Sequence, residues 1–198
     1  MKGKVAPLIQ EFYHAYYSIE TYPVEKCDPF YKVEGEWGIF SNFGNTPIQI
    51  EGITFSCVEK LFQCLKFEDE EAIKDVYKAN GQTIKMKAKH WVKEGKERSD
   101  WGELIVDAMK FCLNLKYDQV PEFRKKLEES KGLFIVEDQS TFPKKDADSW
   151  GVKLRGDEYM GPNLMGRLLM ELRDNGKFQL GNIEGKINRE VNKIKEIK

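Results

Sequence analysis

Histidine is nearly absent from this 198-residue chain: His14 and His90 are the only two, and neither falls in a metal-ligand spacing such as HExxH. Four cysteines, Cys27, Cys57, Cys64 and Cys112, form no CxxC pair. Cys57 and Cys64 lie about two helical turns apart, too far for a bridge within one helix, so the four read as reduced, mostly core thiols. No metal site and no cofactor are expected. Long apolar runs are also missing, and nothing approaches the roughly 20 residues of a membrane span. The opening MKGKVAPLIQ is too poor in apolar residues for a secretory signal, so a cytoplasmic location without membrane association is expected. Lys and Arg number 32 against 33 Asp and Glu, a net charge of −1 that gives no global attraction to nucleic acid or anionic lipid. There is no P-loop, no GxGxxG after a strand and no GxSxG elbow. Chemistry is left to carboxylates, amides, lysines and aromatics.

What is present is a 40 % hydrophobic chain, long enough for one buried core. Residues 1–35 hold Phe12, Tyr13, Tyr16, Tyr17, Tyr22, Phe30 and Tyr31, with Pro7 and Pro23 breaking any long helix. This segment reads as an aromatic extension packed on the body. Apolar residues at 48, 50, 53 and 55 flank Glu51-Gly52 and predict a short hairpin. Helices are then expected over 56–67, 69–79 and 83–93, from Asp100 with Glu103 as a capping box, and from Pro121 to near Gly132. LFIVE at 133–137 reads as a strand. The polar stretch 138–163 lacks periodicity and reads as an irregular, functional segment. Pro162 is expected to open a helix that ends at Asn175-Gly176, and the charged tail 181–198, with Ile183, Ile187, Val191 and Ile194, reads as an amphipathic helix.

The densest chemistry is in SCVEKLFQCLKF, residues 56–67. At about 100° per residue, Glu59, Gln63 and Lys66 share one helix face beside an apolar stripe of Val58, Leu61, Phe62 and Leu65. Ser56 and Glu59 have the spacing of a capping box, a purely structural use of both side chains. That geometry also sets Glu59 at the positive end of the helix dipole, which favours an ionised carboxylate suited to act as base, nucleophile or cation stabiliser.

Four segments in order, FSNF at 40–43, the 56–67 helix, DADSWG at 146–151 and GPNLMGRLLMELR at 161–173, resemble the NADAR superfamily of YbiA-like N-glycosidases. The resemblance covers roughly residues 36–176, leaving 1–35 and 177–198 as extensions. It implies a predominantly α-helical α+β domain with a few short strands, hydrolysing N-glycosidic bonds to phosphorylated ribose. The implied partner is a nucleotide-like small molecule of riboflavin-intermediate type or ADP-ribosylated guanine in nucleic acid. Carried over by position, it implies that Glu59 and Lys66 are catalytic, that Phe40, Ser41, Asn42 and Phe43 line the base or ribose pocket, and that Gln63, Trp150, Gly151 and Asn163 contact substrate. The family pattern sets an Asp three residues before the Trp-Gly pair, where this chain has Ala147 between Asp146 and Asp148. Either can be the second carboxylate.

The residue chemistry fits that expectation. Cleaving a C1′–N bond passes through an oxocarbenium-like ribose, which needs an anion near C1′, an activated water and a proton for the leaving base. Glu59 and one of Asp146 or Asp148 can divide those tasks. Lys66, desolvated beside Phe62 and Phe67, offers a Schiff-base route, against its plainer use as a surface lysine or as the ion-pair partner of Glu59. Trp150 and Phe40 are candidate stacking surfaces, and Asn163 sits at a helix start, where free N–H groups can bind phosphate. Two other classes compete: a non-catalytic module that senses NAD or ADP-ribose, favoured by the displaced Asp, and an interaction scaffold built on the tail.

Overall fold

The structure, a computed structural model, describes residues 5–180 and 191–194. Its described residues form an α+β arrangement in which helices outweigh short strands. The chain divides into two units, one comprising residues up to Ser41 with Glu122–Lys177, the other Asn42–Pro121 with residues from Phe178 onward. The boundary falls inside FSNF.

The second unit opens with the expected hairpin, β3 (Ile48–Ile50) and β4 (Ile53–Phe55), in the register Ile48 to Phe55. Its turn has positive φ at both Glu51 and Gly52, the twist that matches paired strands. Helix α2 (Val58–Cys64) follows and packs against α3 (Glu70–Lys78), α4 (Thr83–Lys93) and α5 (Trp101–Gln119). All seven residues of α2 are buried, including the polar Glu59, Lys60 and Gln63. A helix enclosed on every side must satisfy its polar groups internally. Lys60 does so through a 3.0 Å bond from Nζ to Asn80 Oδ1.

Helix α2 is shorter than the sequence suggests, and its capping differs. Cys57 is the extended N-cap residue and makes no side-chain cap, while Ser56 is exposed. The Ser56–Glu59 capping box is therefore not formed: the first-turn N–H of Glu59 instead donates to the Asn42 carbonyl at 2.9 Å. After Cys64 the backbone tightens, with Phe67 N–H bonded to Cys64 O at 3.2 Å, and Lys66 lies in that tight turn. The second expected box fails as well. Asp100 is the N-cap of α5 without a side-chain cap, and its carboxylate accepts from Arg98. In the C-terminal tail, Val191 and Ile194 are buried in a helical turn, whereas Ile183 and Ile187 lie outside the described residues.

In the first unit β1 (Glu20–Pro23), β7 (Glu158–Gly161) and β6 (Lys153–Arg155) form an antiparallel sheet in the order β1-β7-β6. β2 (Cys27–Phe30) pairs in parallel with β5 (Phe134–Glu137), the expected LFIVE strand. The aromatic N-terminal segment is thus woven into this unit: Tyr22 is registered on Tyr159, and both pack with Val136 and Val152. Pro23 lies on the edge strand β1, where a missing N–H is tolerated. The segment 138–163 is less irregular than its composition suggests, because it holds the β6–β7 hairpin, turned at Gly156 with φ 65°. Arg155-Gly156-Asp157-Glu158 carries the glycine turn signal, but the flanking strands are too short for alternation to stand out.

α1 (Val5–Phe12), α6 (Pro121–Glu129) and α7 (Leu164–Asn175) complete the first unit, with α7 packed on β5. α7 begins two residues after Pro162 because Asn163 adopts the left-handed conformation, φ 51°. Gly166 explains how closely α7 meets β5: a Cβ there would lie 2.1 Å from the Ile135 carbonyl oxygen and 2.5 Å from the Asn163 amide. Gly166→Ala is accordingly expected to lower stability by about 1–3 kcal/mol, read as a lower urea midpoint. An unchanged midpoint would show that this approach is not tight.

Candidate functional site

Glu59 anchors the polar face of α2. Its side chain is 5 % exposed as a residue, and Oε1 accepts from Gln63 Nε2 at 2.8 Å, so the i, i+4 relation read from the sequence is a real contact. The same Oε1 lies 3.4 Å from Lys85 Nζ, which arrives from α4 and sits 4.8 Å from the Phe43 ring centroid. The hydrogen bond and the nearer approach of the ammonium thus both fall on Oε1. The Asn42 carbonyl caps the helix beneath, and Asn42 Nδ2 approaches Met109 Sδ at 3.3 Å. The second half of FSNF therefore builds this face through its backbone and one ring.

Lys66 pairs with Glu97 at 3.9 Å rather than with Glu59, and lies 5.7 Å from the Trp101 ring centroid. Trp101 packs in turn on Phe62. Burial draws the Lys66 ammonium below the ordinary lysine range; Glu97 and Glu59 oppose the shift, and the charge of Lys85 adds to it. A lysine so placed carries more neutral amine at a given pH than a solvated one.

In the first unit the structure separates Asp146 from Asp148. Asp146 is 86 % exposed at the side chain, 3.8 Å from Arg155, on the rim of a cavity of about 290 Å³ that Ala147, Lys153 and Pro162 also line. Asp148 is held firmly. Its Oδ1 accepts from Gln139 Nε2 at 2.7 Å and from Trp150 N–H at 2.9 Å, while its own N–H donates to Gln139 Oε1 at 3.0 Å. Gln139 is buried, and Gly151 makes room for it, since a Cβ at 151 would stand 2.8 Å from the Gln139 amide. Sequence reasoning missed both Gln139 and Lys85. A lone Gln before a polar loop, and one lysine among the four of α4, carry no local signal.

Three nominated residues have structural tasks here. Phe40 is fully buried, stacked on Trp37 at 5.7 Å and edge-on to Phe30 and Phe123, and so presents no face to a base. Ser41 is half-buried and follows it as the C-cap of a single tight turn. Asn163 is fully buried; its Nδ2 donates to Ile135 O at 2.9 Å and its Oδ1 accepts from Glu137 N–H at 3.2 Å. The first N–H groups of α7 are not open to phosphate either, because Leu164 and Met165 donate to the carbonyls of Ser149 and Trp150, both at 3.0 Å. Trp150 is half-buried. Among the described residues no group of three or more His, Cys, Asp or Glu is arranged to hold a metal ion, and no helix is long and apolar enough to cross a membrane. All four cysteines are free thiols.

Asn163→Ala would orphan the Glu137 N–H and the Ile135 carbonyl, at about 1–3 kcal/mol for each buried group. A marked drop in the unfolding midpoint is expected. A variant of unchanged stability that had lost only ligand affinity would instead make Asn163 a binding residue.

The described family model "NADAR domain" matches residues 29–175, across both units. The chain is 30 % identical over 150 residues to the N-glycosidase YbiA of Escherichia coli (strain K12), an alignment covering 73 % of this chain and 85 % of that protein. The N-glycosidase YbiA of Shigella sonnei (strain Ss046) matches with the same identity and coverage. An NMR structure of the E. coli protein YbiA superposes with a TM-score of 0.60 at 29 % identity, covering 75 % of this chain and 83 % of that one.

Proposed function

The chain belongs to the NADAR domain family, and from that membership we propose that it hydrolyses the N-glycosidic bond between a base and a phosphorylated ribose. The observation that carries the reading is Glu59, a buried carboxylate whose Oε1 accepts from Gln63 and is ion-paired with Lys85. In the proposed reaction the C1′–N bond breaks with its electron pair leaving on the base, which takes up a proton, and water adds to C1′. Glu59 stabilises the ribosyl cation or removes the proton from that water. Help of this kind is worth about 10²- to 10⁴-fold.

Asp148 is put forward as the second carboxylate, ahead of Asp146. A positioned group contributes more than a solvated one, and Asp148 is fixed by Gln139 and Trp150 whereas Asp146 stands in solvent. Gln63 orients Glu59, and the Phe43 ring and Trp150 are proposed as contacts for substrate. The depressed Lys66 ammonium favours a second route, in which the amine attacks C1′, the base leaves, the ring opens to an imine and water releases the sugar.

The substrate is proposed to be a riboflavin-type phosphoribosylamino-pyrimidine or ADP-ribosylated guanine in DNA. Incubating the purified protein with each and identifying products by mass is expected to give free base and the matching ribose fragment from one of them. Borohydride added during turnover is expected to leave a reduced sugar on Lys66 if the imine route operates, and no adduct would assign the direct route. Binding of ADP-ribose with no product from either substrate over hours would overturn hydrolysis in favour of a binding module.

A further inference from the structure

Resting on that reading of Glu59, we propose that Lys85 is a positioning residue of the site: from α4 it fixes Glu59 through Oε1 and leaves Oε2 as the oxygen that meets the substrate. Three observations carry this. The partner of Lys85 is a carboxylate only 6 % exposed at the side chain, whereas Lys85 itself is 56 % exposed, so the pair joins a solvated cation to a buried anion. An ion pair between two exposed groups contributes little, but a buried carboxylate needs compensation from its surroundings. Second, Gln63 donates to the same oxygen. Lys85 approaches that oxygen as an ion pair at 3.4 Å, so the amide hydrogen bond and the ammonium both bear on Oε1, and Oε2 is the oxygen with hydrogen-bonding capacity left. Third, the Lys85 ammonium rests 4.8 Å from the Phe43 ring centroid, which limits where its stem can swing. Its neighbour Lys87 is held elsewhere, 3.1 Å from Asp75, so α4 does not direct its lysines to this face indiscriminately.

Lys85 also bears on Lys66. The charged groups that act on Lys66 are Glu97 at 3.9 Å, Glu59 and Lys85. The guanidinium of the adjacent Arg98 is engaged with Asp100 and Glu68. Of these, Lys85 alone acts together with burial against a proton on Lys66. Removing the Lys85 charge, and with it a competitor for Glu59, is expected to let Lys66 keep its proton to higher pH. A lysine whose charge does not reach this face would not move that titration.

The test uses the full chain with Lys85 replaced by Met and, separately, by Arg. Lys85 is exposed enough for both variants to fold, which a thermal melt checks. On whichever N-glycoside the wild type cleaves, Lys85→Met is expected to lower kcat by about 10- to 100-fold through a misplaced carboxylate, with KM little changed. Lys85→Arg is expected to restore most of the rate. An unchanged kcat in Lys85→Met, or a rise in KM alone, would overturn the proposal and make Lys85 a bystander or a substrate-binding group. A second readout needs no substrate: the pH dependence of Lys66 labelling by trinitrobenzenesulfonate, followed by peptide mass. The curve is expected to move to higher pH in Lys85→Met, and an unmoved curve counts against the proposal. A wild type inactive on every N-glycoside would instead sink the hydrolase reading, with the labelling curve still judging the link between Lys85 and this face.

Discussion

The site depends on how the first turn of α2 is capped. Every helix begins with N–H groups that have no partner inside it, and in a helix buried on all sides the cost of leaving one unmet falls on the fold. A side chain of the helix itself can meet it, as the Ser56 and Glu59 spacing suggests. Here the Asn42 carbonyl does so, at 2.9 Å from the Glu59 N–H. The Asn42 carbonyl takes the place of the Ser56 hydroxyl, and the carboxylate of Glu59, which forms no capping box, is held on Oε1 by Gln63 and Lys85.

The same device recurs in the other unit. The carbonyls of Ser149 and Trp150, inside DSWG, receive the first N–H groups of α7, and the carbonyl of Gly151 receives that of Asn163. This accounts for why the four sequence segments come in two pairs: FSNF caps the helix that carries Glu59, and DSWG caps the helix that follows Gly161-Pro162-Asn163. Each loop also leaves one carboxylate with a glutamine on a single oxygen, Gln63 for Glu59 and Gln139 for Asp148. Two residues with no chemistry of their own make this possible. Gly151 admits Gln139, and Gly166 lets α7 close on β5.

Much of this was legible in the chain. Periodicity marks α2 through α7 and the hairpin, and the i, i+4 spacing of Glu59 and Gln63 foretells their hydrogen bond. The β1, β2, β6 and β7 strands were not legible, because each is three or four residues long and owes its existence to partners distant in sequence. Lys85 and Gln139 stayed hidden for the same reason: each meets its carboxylate through tertiary folding. Motif reading also assigned Phe40 and Asn163 to ligand contact, whereas their burial gives them packing and backbone bonding. A motif records that residues occur together and does not say which of them face a ligand.

Glu59 is the carboxylate on which the proposed hydrolysis turns, and Glu59→Gln tests that role most directly because the amide keeps the shape and removes the charge. Single-turnover release of free base from a substrate that the wild type cleaves is the quantity to measure. A fall of about 10²-fold or more, with binding of the substrate retained, is the predicted result. Release at the wild-type rate would contradict it and would move the chemistry away from this face of α2.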